Sequence, residues 1–107
     1  MLERIDVTGA IAGLKEAWMP VDLARVNDSA IRCARIQGEY HWHTHQSSDE
    51  FFLVQEGEMV IQTVEGDVPL QEGQGLVVPK GMRHRSKSDQ GAVVLVFELQ
   101  KTRKEGD

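Results

Sequence analysis

The 107-residue sequence contains one cysteine, Cys33, so no intramolecular disulfide can form and a small secreted scaffold held by bridges is excluded. Basic residues are outnumbered, with 12 Lys and Arg against 17 Asp and Glu, for a formal net charge of -5. That is the wrong sign for gripping phosphate backbones or an anionic lipid surface, so neither nucleic acid nor membrane is expected as a partner. Long apolar runs are missing too. The longest, Ala92 to Phe97, falls far short of a bilayer span. The first residues, Met1 to Gly13, carry Glu3, Arg4 and Asp6 where a signal peptide needs an apolar core. A cytoplasmic location is the expectation. Internal repeats and low-complexity segments are absent.

What is present has the make-up of an ordinary globular domain, 40% hydrophobic and 27% charged, and its length favours a single domain over residues 1–107 with a real core. Glycine is the main punctuation. Gly57, Gly66, Gly73, Gly75, Gly81 and Gly91 separate short runs of Val, Ile, Leu and Phe, a spacing that predicts an all-β sandwich or barrel. Strands are expected at Val21–Val26, Ile31–Ile36, Tyr40–His45, Phe51–Glu56, Met59–Val64, Val68–Leu70, Gly75–Pro79, Arg83–Lys87 and Val93–Gln100. A short N-terminal helix, capped by Thr8 and running through Ile11 and Leu14 to Trp18, stops before Pro20. The charged tail, Lys101 to Asp107, offers no face to bury and is expected to fray.

Three of the four histidines, His41, His43 and His45, alternate along one segment, and alternate residues of a strand share a face. Such a face is a poor core, since each buried imidazole needs a partner for at least one nitrogen. A metal ion is such a partner. Glu50 follows His45 by five residues across a polar connection, so a second strand starting there brings a carboxylate beside the histidine pair. His84 stands just past the Pro79-Lys80-Gly81 turn and offers a fourth ligand. Three neutral imidazoles and a carboxylate suit one divalent transition metal, with Zn, Fe, Mn and Ni among the candidates, and leave one or two positions open for water or substrate. His41 has two readings. A regular strand aims it into the same cavity as a contact to the site, whereas a bulge near Gly38 turns it to the rim.

The pattern Gly38, four residues, His43-Thr44-His45, four residues, Glu50, six residues, Gly57 resembles the first cupin motif. Gly73, five residues, Pro79-Lys80-Gly81, two residues, His84 resembles the second. The spacing before His43 is one residue shorter than is usual, and Ser88 stands where asparagine is usual. Asp49-Glu50-Phe51-Phe52 and Val78-Pro79-Lys80-Gly81 are similar to small single-domain cupins labelled mannose-6-phosphate isomerase-like. The resemblance implies a double-stranded β-helix, a jelly-roll barrel of two antiparallel sheets. It also implies a homodimer, with His43, His45, Glu50 and His84 holding a metal near the barrel axis.

Phe52 and Val54 share the parity of Glu50 and are expected to line the cavity, while Val93, Leu95 and Phe97 alternate as core on the last strand. Lys80, Arg83 and Arg85 flank the second motif, where they either meet an anionic substrate or stay solvated as turn charges. Cys33 has no adjacent histidine to serve as its base and reads as structural; Trp18 and Trp42 read as packing or interface residues. Two functions fit this set. One is a metal-dependent enzyme of isomerase or dioxygenase type acting on a small organic molecule in the barrel, with Glu50 and His41 as candidate catalytic groups. The alternative is a non-catalytic module that binds or senses a small molecule at the same metal, and the fold alone does not choose between them.

Overall fold

In the computed structural model, which describes residues 2–107, one helix precedes seven strands: α1 (Val7–Ala12), β1 (Val21–Val26), β2 (Ser29–Glu39), β3 (Glu50–Gly57), β4 (Met59–Thr63), β5 (Gly66–Leu70), β6 (Gly75–Val78) and β7 (His84–Leu99). The strands are linked in the order β1-β2-β7-β3-β6, with β4 joined to β7 and β5 to β4, and every pair is antiparallel. The expected all-β jelly roll with a short helix is what forms. Period-two alternation sends Phe52 and Val54 of β3, Met59 and Ile61 of β4, and Val94 and Val96 of β7 into one buried cluster with Ile36, Leu70 and Val78. A second, smaller cluster lies under α1, where Ile11 and Leu14 cover Cys33 and Val93.

β7 bears out the expected core role of Val93 and Leu95 and corrects that of Phe97. Its barrel-facing residues are Val94, Val96 and the buried Glu98, while Val93 and Leu95 face the other way into the cluster under α1 and Phe97 stays 37% exposed. A strand covered on both faces carries apolar side chains at both parities, so alternation does not say which face is the barrel. The two strands expected at Arg83–Lys87 and Val93–Gln100 are one. At Ser88–Gly91 the chain bends without turning back. It exchanges β4 for β3 as partner and uses a left-handed φ of +94° at Gly91, where a Cβ would lie 2.6 Å from Gln37 Oε1.

The helix is shorter than expected. Asp6, not Thr8, is the cap, its carboxylate accepting from the Gly9 amide at 3.0 Å. The helix ends at Gly13 because the following chain is drawn onto β2, Trp18 N donating to the Arg35 carbonyl at 2.8 Å. The strand expected at Tyr40–His45 does not form. β2 shifts register between Ile36 and Gly38, the bulge weighed in the sequence, but stays paired with β7 through Glu39, with Tyr40 N donating to the Ser86 carbonyl at 3.0 Å; past that point the chain meets β7 through an isolated bridge, His43 to His84.

The tail does not fray. Arg32 donates to the carbonyls of Gln100 (2.6 Å) and Thr102 (3.1 Å), Lys104 Nζ to the Trp18 carbonyl (2.8 Å), and the Asp107 amide to the Thr44 carbonyl (2.9 Å). Composition offered no apolar face, and hydrogen bonds hold the segment instead. No helix among the described residues is long and apolar enough to cross a membrane.

Candidate metal centre

His43 and His84 are brought together by their backbones, each amide donating to the other's carbonyl (3.0 and 2.9 Å), so that their rings lie 4.4 Å apart. Two residues on, the His45 carbonyl accepts from the Gly81 amide at 2.8 Å, which ties the third histidine to the turn preceding β7. Glu50 opens β3 opposite Val78. One ligand atom from each of His43, His45, Glu50 and His84 lies within 4.8 Å of the others, and all but the half-buried His43 are buried.

The hydrogen bonds around the rings fix which nitrogen faces inward. His43 Nδ1–H donates to the His41 carbonyl (2.9 Å) and His84 Nδ1–H to the Met82 carbonyl (3.0 Å); carbonyls only accept, so in the neutral rings both protons sit on Nδ1 and Nε2 presents a lone pair. His45 Nδ1 faces Asp107 Oδ1 at 3.1 Å, and its buried Nε2 has no hydrogen-bond partner among the described residues. The Glu50 carboxylate, with Oε1 3.1 Å from His84 Nε2 and 3.5 Å from His45 Nε2, completes a ring of acceptors facing acceptors. Such a ring requires a cation or protons at its centre. Ligands about 2.1 Å from an ion stand roughly 3.0–4.2 Å from one another, so the four atoms need close in by only about half an ångström. The donor set fits a divalent transition metal.

The surrounding field agrees. Burial, above all, and the neighbouring His84 and His45 push His43 down to about 4 against the lift from its bond to the His41 carbonyl; the imidazole is therefore neutral, and ready to ligate, at pH 7. Burial pushes Glu50 up, yet a hydrogen bond from His84 when its Nε2 also carries a proton, a hydrogen bond from Glu98, and the charges that His45 and His84 gain on protonation outweigh it and hold the carboxyl below its ordinary range in the metal-free site. Glu98, missed in the sequence, shares a proton with Glu50: burial first, then the Glu50 charge and hydrogen bond, raise it to about 8, against the opposing pull of Arg32, whose Nη1 lies 3.1 Å away. The only signal in the sequence is that Glu98 continues the parity of Val94 and Val96.

His43, Glu50, Glu98, Arg32 and Ser86 form the polar wall of a cavity otherwise bounded mainly by Trp18, Ile36, Tyr40, Phe52 and Val96, with Lys104 also lining it. Phe52 is thus on the cavity, as expected. His41 is not. Its ring is exposed, stacks on Tyr40 at 4.2 Å and bonds the Glu105 carbonyl through Nε2 at 3.0 Å, because the missing strand removes the shared parity on which the inward reading depended. Arg83 and Arg85 lie against the Trp42 ring (5.0 and 5.1 Å), and Arg85 also pairs with Glu39. Neither they nor Lys80 border the cavity. Cys33 is fully buried, which pushes its thiol up and away from reactivity.

An antiparallel jelly roll with three imidazoles and a carboxylate converging at its interior defines a class of small metal-binding barrels. Residues 35–98 match the Cupin_2 family, described as a cupin domain, and the chain belongs to that family. It is 38% identical over 86 residues to the uncharacterized protein YdbB of Bacillus subtilis, covering 79% of this chain and 76% of that one. A cupin-2 domain containing protein from Shewanella frigidimarina superposes with a TM-score of 0.86 at 28% identity, over 90% of this chain and 94% of the other. Hydroquinone 1,2-dioxygenase from Sphingomonas sp. TTNP3, with 4-hydroxybenzoate bound, shares the fold with a TM-score of 0.77 at 15% identity, over 99% and 82% of the two chains.

Because His43 titrates at about 4 in the fold and at 6.5 when free, the unfolded chain binds a proton between those values that the folded one refuses. Stability contributed by this group is therefore present above pH 6.5 and lost as pH falls toward 4. In chelator-treated protein the urea midpoint should drop between pH 7 and pH 4.5, and by less in His43→Gln; an equal drop in both proteins contradicts the assignment.

Proposed function

We propose that the protein is a metal-dependent cupin enzyme, of isomerase or dioxygenase type, acting on a small organic molecule held in the barrel. The observation that carries the reading is that three inward Nε2 lone pairs and the Glu50 carboxylate converge in one cluster, two of whose members, His43 and Glu50, open onto a largely apolar cavity. His43, His45, Glu50 and His84 would hold one divalent ion, which supplies Lewis acidity or, as iron, a centre for dioxygen chemistry. The residues do the remainder. Trp18, Ile36, Tyr40 and Phe52 exclude water and select an apolar body, while the proton that Glu98 shares with Glu50 lies where a bound molecule can exchange it. The cavity is about 70 Å³, against the ~150 Å³ that holds benzene, so a ring-sized ligand must displace part of the lining. His41, one of two catalytic candidates in the sequence, is placed here in a supporting role, its carbonyl fixing the His43 ring. The likeness to mannose-6-phosphate isomerase-like proteins is carried no further than subgroup, since the cavity exposes mainly apolar surface and is small for a phosphosugar.

We extend the proposal to a single cupin domain, working in the cytoplasm as a homodimer, with neither nucleic acid nor membrane as partner. Ile31, Phe97, Phe51 and Val77 stand side by side across β2, β7, β3 and β6, and Phe97 and Val77 are 37% and 55% exposed. An apolar row of this kind, outside the helix-covered area, supports a second copy as its cover.

Purified protein should carry about one equivalent of metal by plasma mass spectrometry, and His43→Ala/His45→Ala essentially none. Turnover in a small-molecule panel with oxygen uptake monitored supports the enzyme; ligand-induced rises in Tm without product support the binding module; an empty wild type after reconstitution overturns both. Light scattering should give a dimer that Phe97→Glu reduces to monomer, and a monomeric wild type removes the homodimer.

A further inference from the structure

We propose that the segment Lys101–Asp107 is a strap that shapes the centre, and that the Asp107 carboxylate is the positioning residue for His45. This rests on the metal reading above. His43 and His84 each find a carbonyl acceptor two residues away for their Nδ1–H. His45 takes its acceptor, Asp107 Oδ1, from 62 residues away. A neutral imidazole carries one ring proton, and a carboxylate only accepts. Asp107 therefore holds that proton on Nδ1 and leaves the buried, unpartnered Nε2 as a lone pair aimed at the cluster. Without Asp107 the proton is free to move to Nε2, where Glu50 Oε1 stands 3.5 Å away, and the ring ceases to be a ligand. An accepting carboxylate also makes the ring a better donor to a metal.

The strap is built to deliver this contact. The Glu105 carbonyl is bonded to the His41 ring, the Asp107 amide donates to Thr44 O (2.9 Å), and Gln46 N donates to Asp107 O (3.2 Å), so the tail lies along the histidine-bearing segment. Gly106 has φ +107°, and a Cβ there would come within 3.0 Å of His43 Cβ and of the Thr44 carbonyl. Both the conformation and the closeness reserve the position for glycine. His41, outside the cluster, thus has a use as the peg on which the strap hangs.

The test begins with metal-free, ¹⁵N-labelled protein at pH 8, where long-range proton–nitrogen correlations give the tautomer of each ring. Wild type and Asp107→Asn, whose amide oxygen still accepts, should show His45 as Nδ1–H. Asp107→Ala should show a mixture with Nε2–H while His43 and His84 stay unchanged. Gly106→Ala, which lifts the strap with Asp107 still present, should match Asp107→Ala. Co(II) affinity, read by competition with a chromophoric chelator, should fall about 10–100-fold in Asp107→Ala and Gly106→Ala and by less in Asp107→Asn. If Asp107→Ala keeps His45 as Nδ1–H and binds Co(II) within twofold of wild type, the proposal is overturned and the metal reading stands. If wild type takes up no Co(II), the metal reading falls, and the tautomers still decide whether Asp107 positions His45.

Discussion

Three imidazole lone pairs and a carboxylate pointed at one buried spot repel one another, and the rest of the molecule is arranged to keep them there. Bringing acceptors together away from water is unfavourable unless a cation or a set of protons neutralises them. His43, held unprotonated to about pH 4, supplies no such proton at neutral pH. The balance between the repulsion and the surrounding hydrogen bonds explains why each ring is tied at its outer nitrogen and why Glu98 lends Glu50 a share of a proton. Apolar packing on the other side of the cavity, from Phe52, Val54, Ile61 and Val94, provides the rigidity that such a centre needs.

The barrel meets this demand through a few backbone choices. β7 is long enough to pair with β4 at one end and β3 at the other, so that one strand places His84 beside the histidine segment and Glu98 beside Glu50. The ladder between β2 and β7 ends at Glu39, which leaves His43 to meet His84 through one isolated bridge and His45 to meet the Gly81 turn instead of a full ladder. A regular strand would have aimed His41 inward as well. Releasing it leaves four ligands and a free edge against which the tail docks.

Much of this was legible in the order of residues. The alternation of His43 and His45, the polar spacer to Glu50 and the turn before His84 are local patterns, and the four side chains meet where those patterns placed them. Glycines marked the ends of most strands for the same reason: turns need a conformation that few residues adopt. What stayed hidden depends on distant partners. Residues 101–107 read as a solvated tail because their partners are distant in the chain: Lys104 and Asp107 meet Trp18 and His45, and Arg32 holds the Thr102 carbonyl. Glu98 gives no clear signal in the sequence because β7 is apolar on both faces, and parity alone does not say which side is the cavity. Apolar spacing continues to Trp18 and so predicts a longer helix, while the backbone is drawn away to the Arg35 carbonyl.

The central claim is that these four side chains bind one metal ion together, and X-ray absorption at the edge of the bound metal tests it most directly. Three imidazoles at about 2.1 Å, recognised by the scattering of their ring carbons, with one further oxygen from Glu50 that disappears in Glu50→Ala, is the result the account predicts. A first shell with fewer than two imidazoles, or one unchanged in His84→Ala, contradicts it.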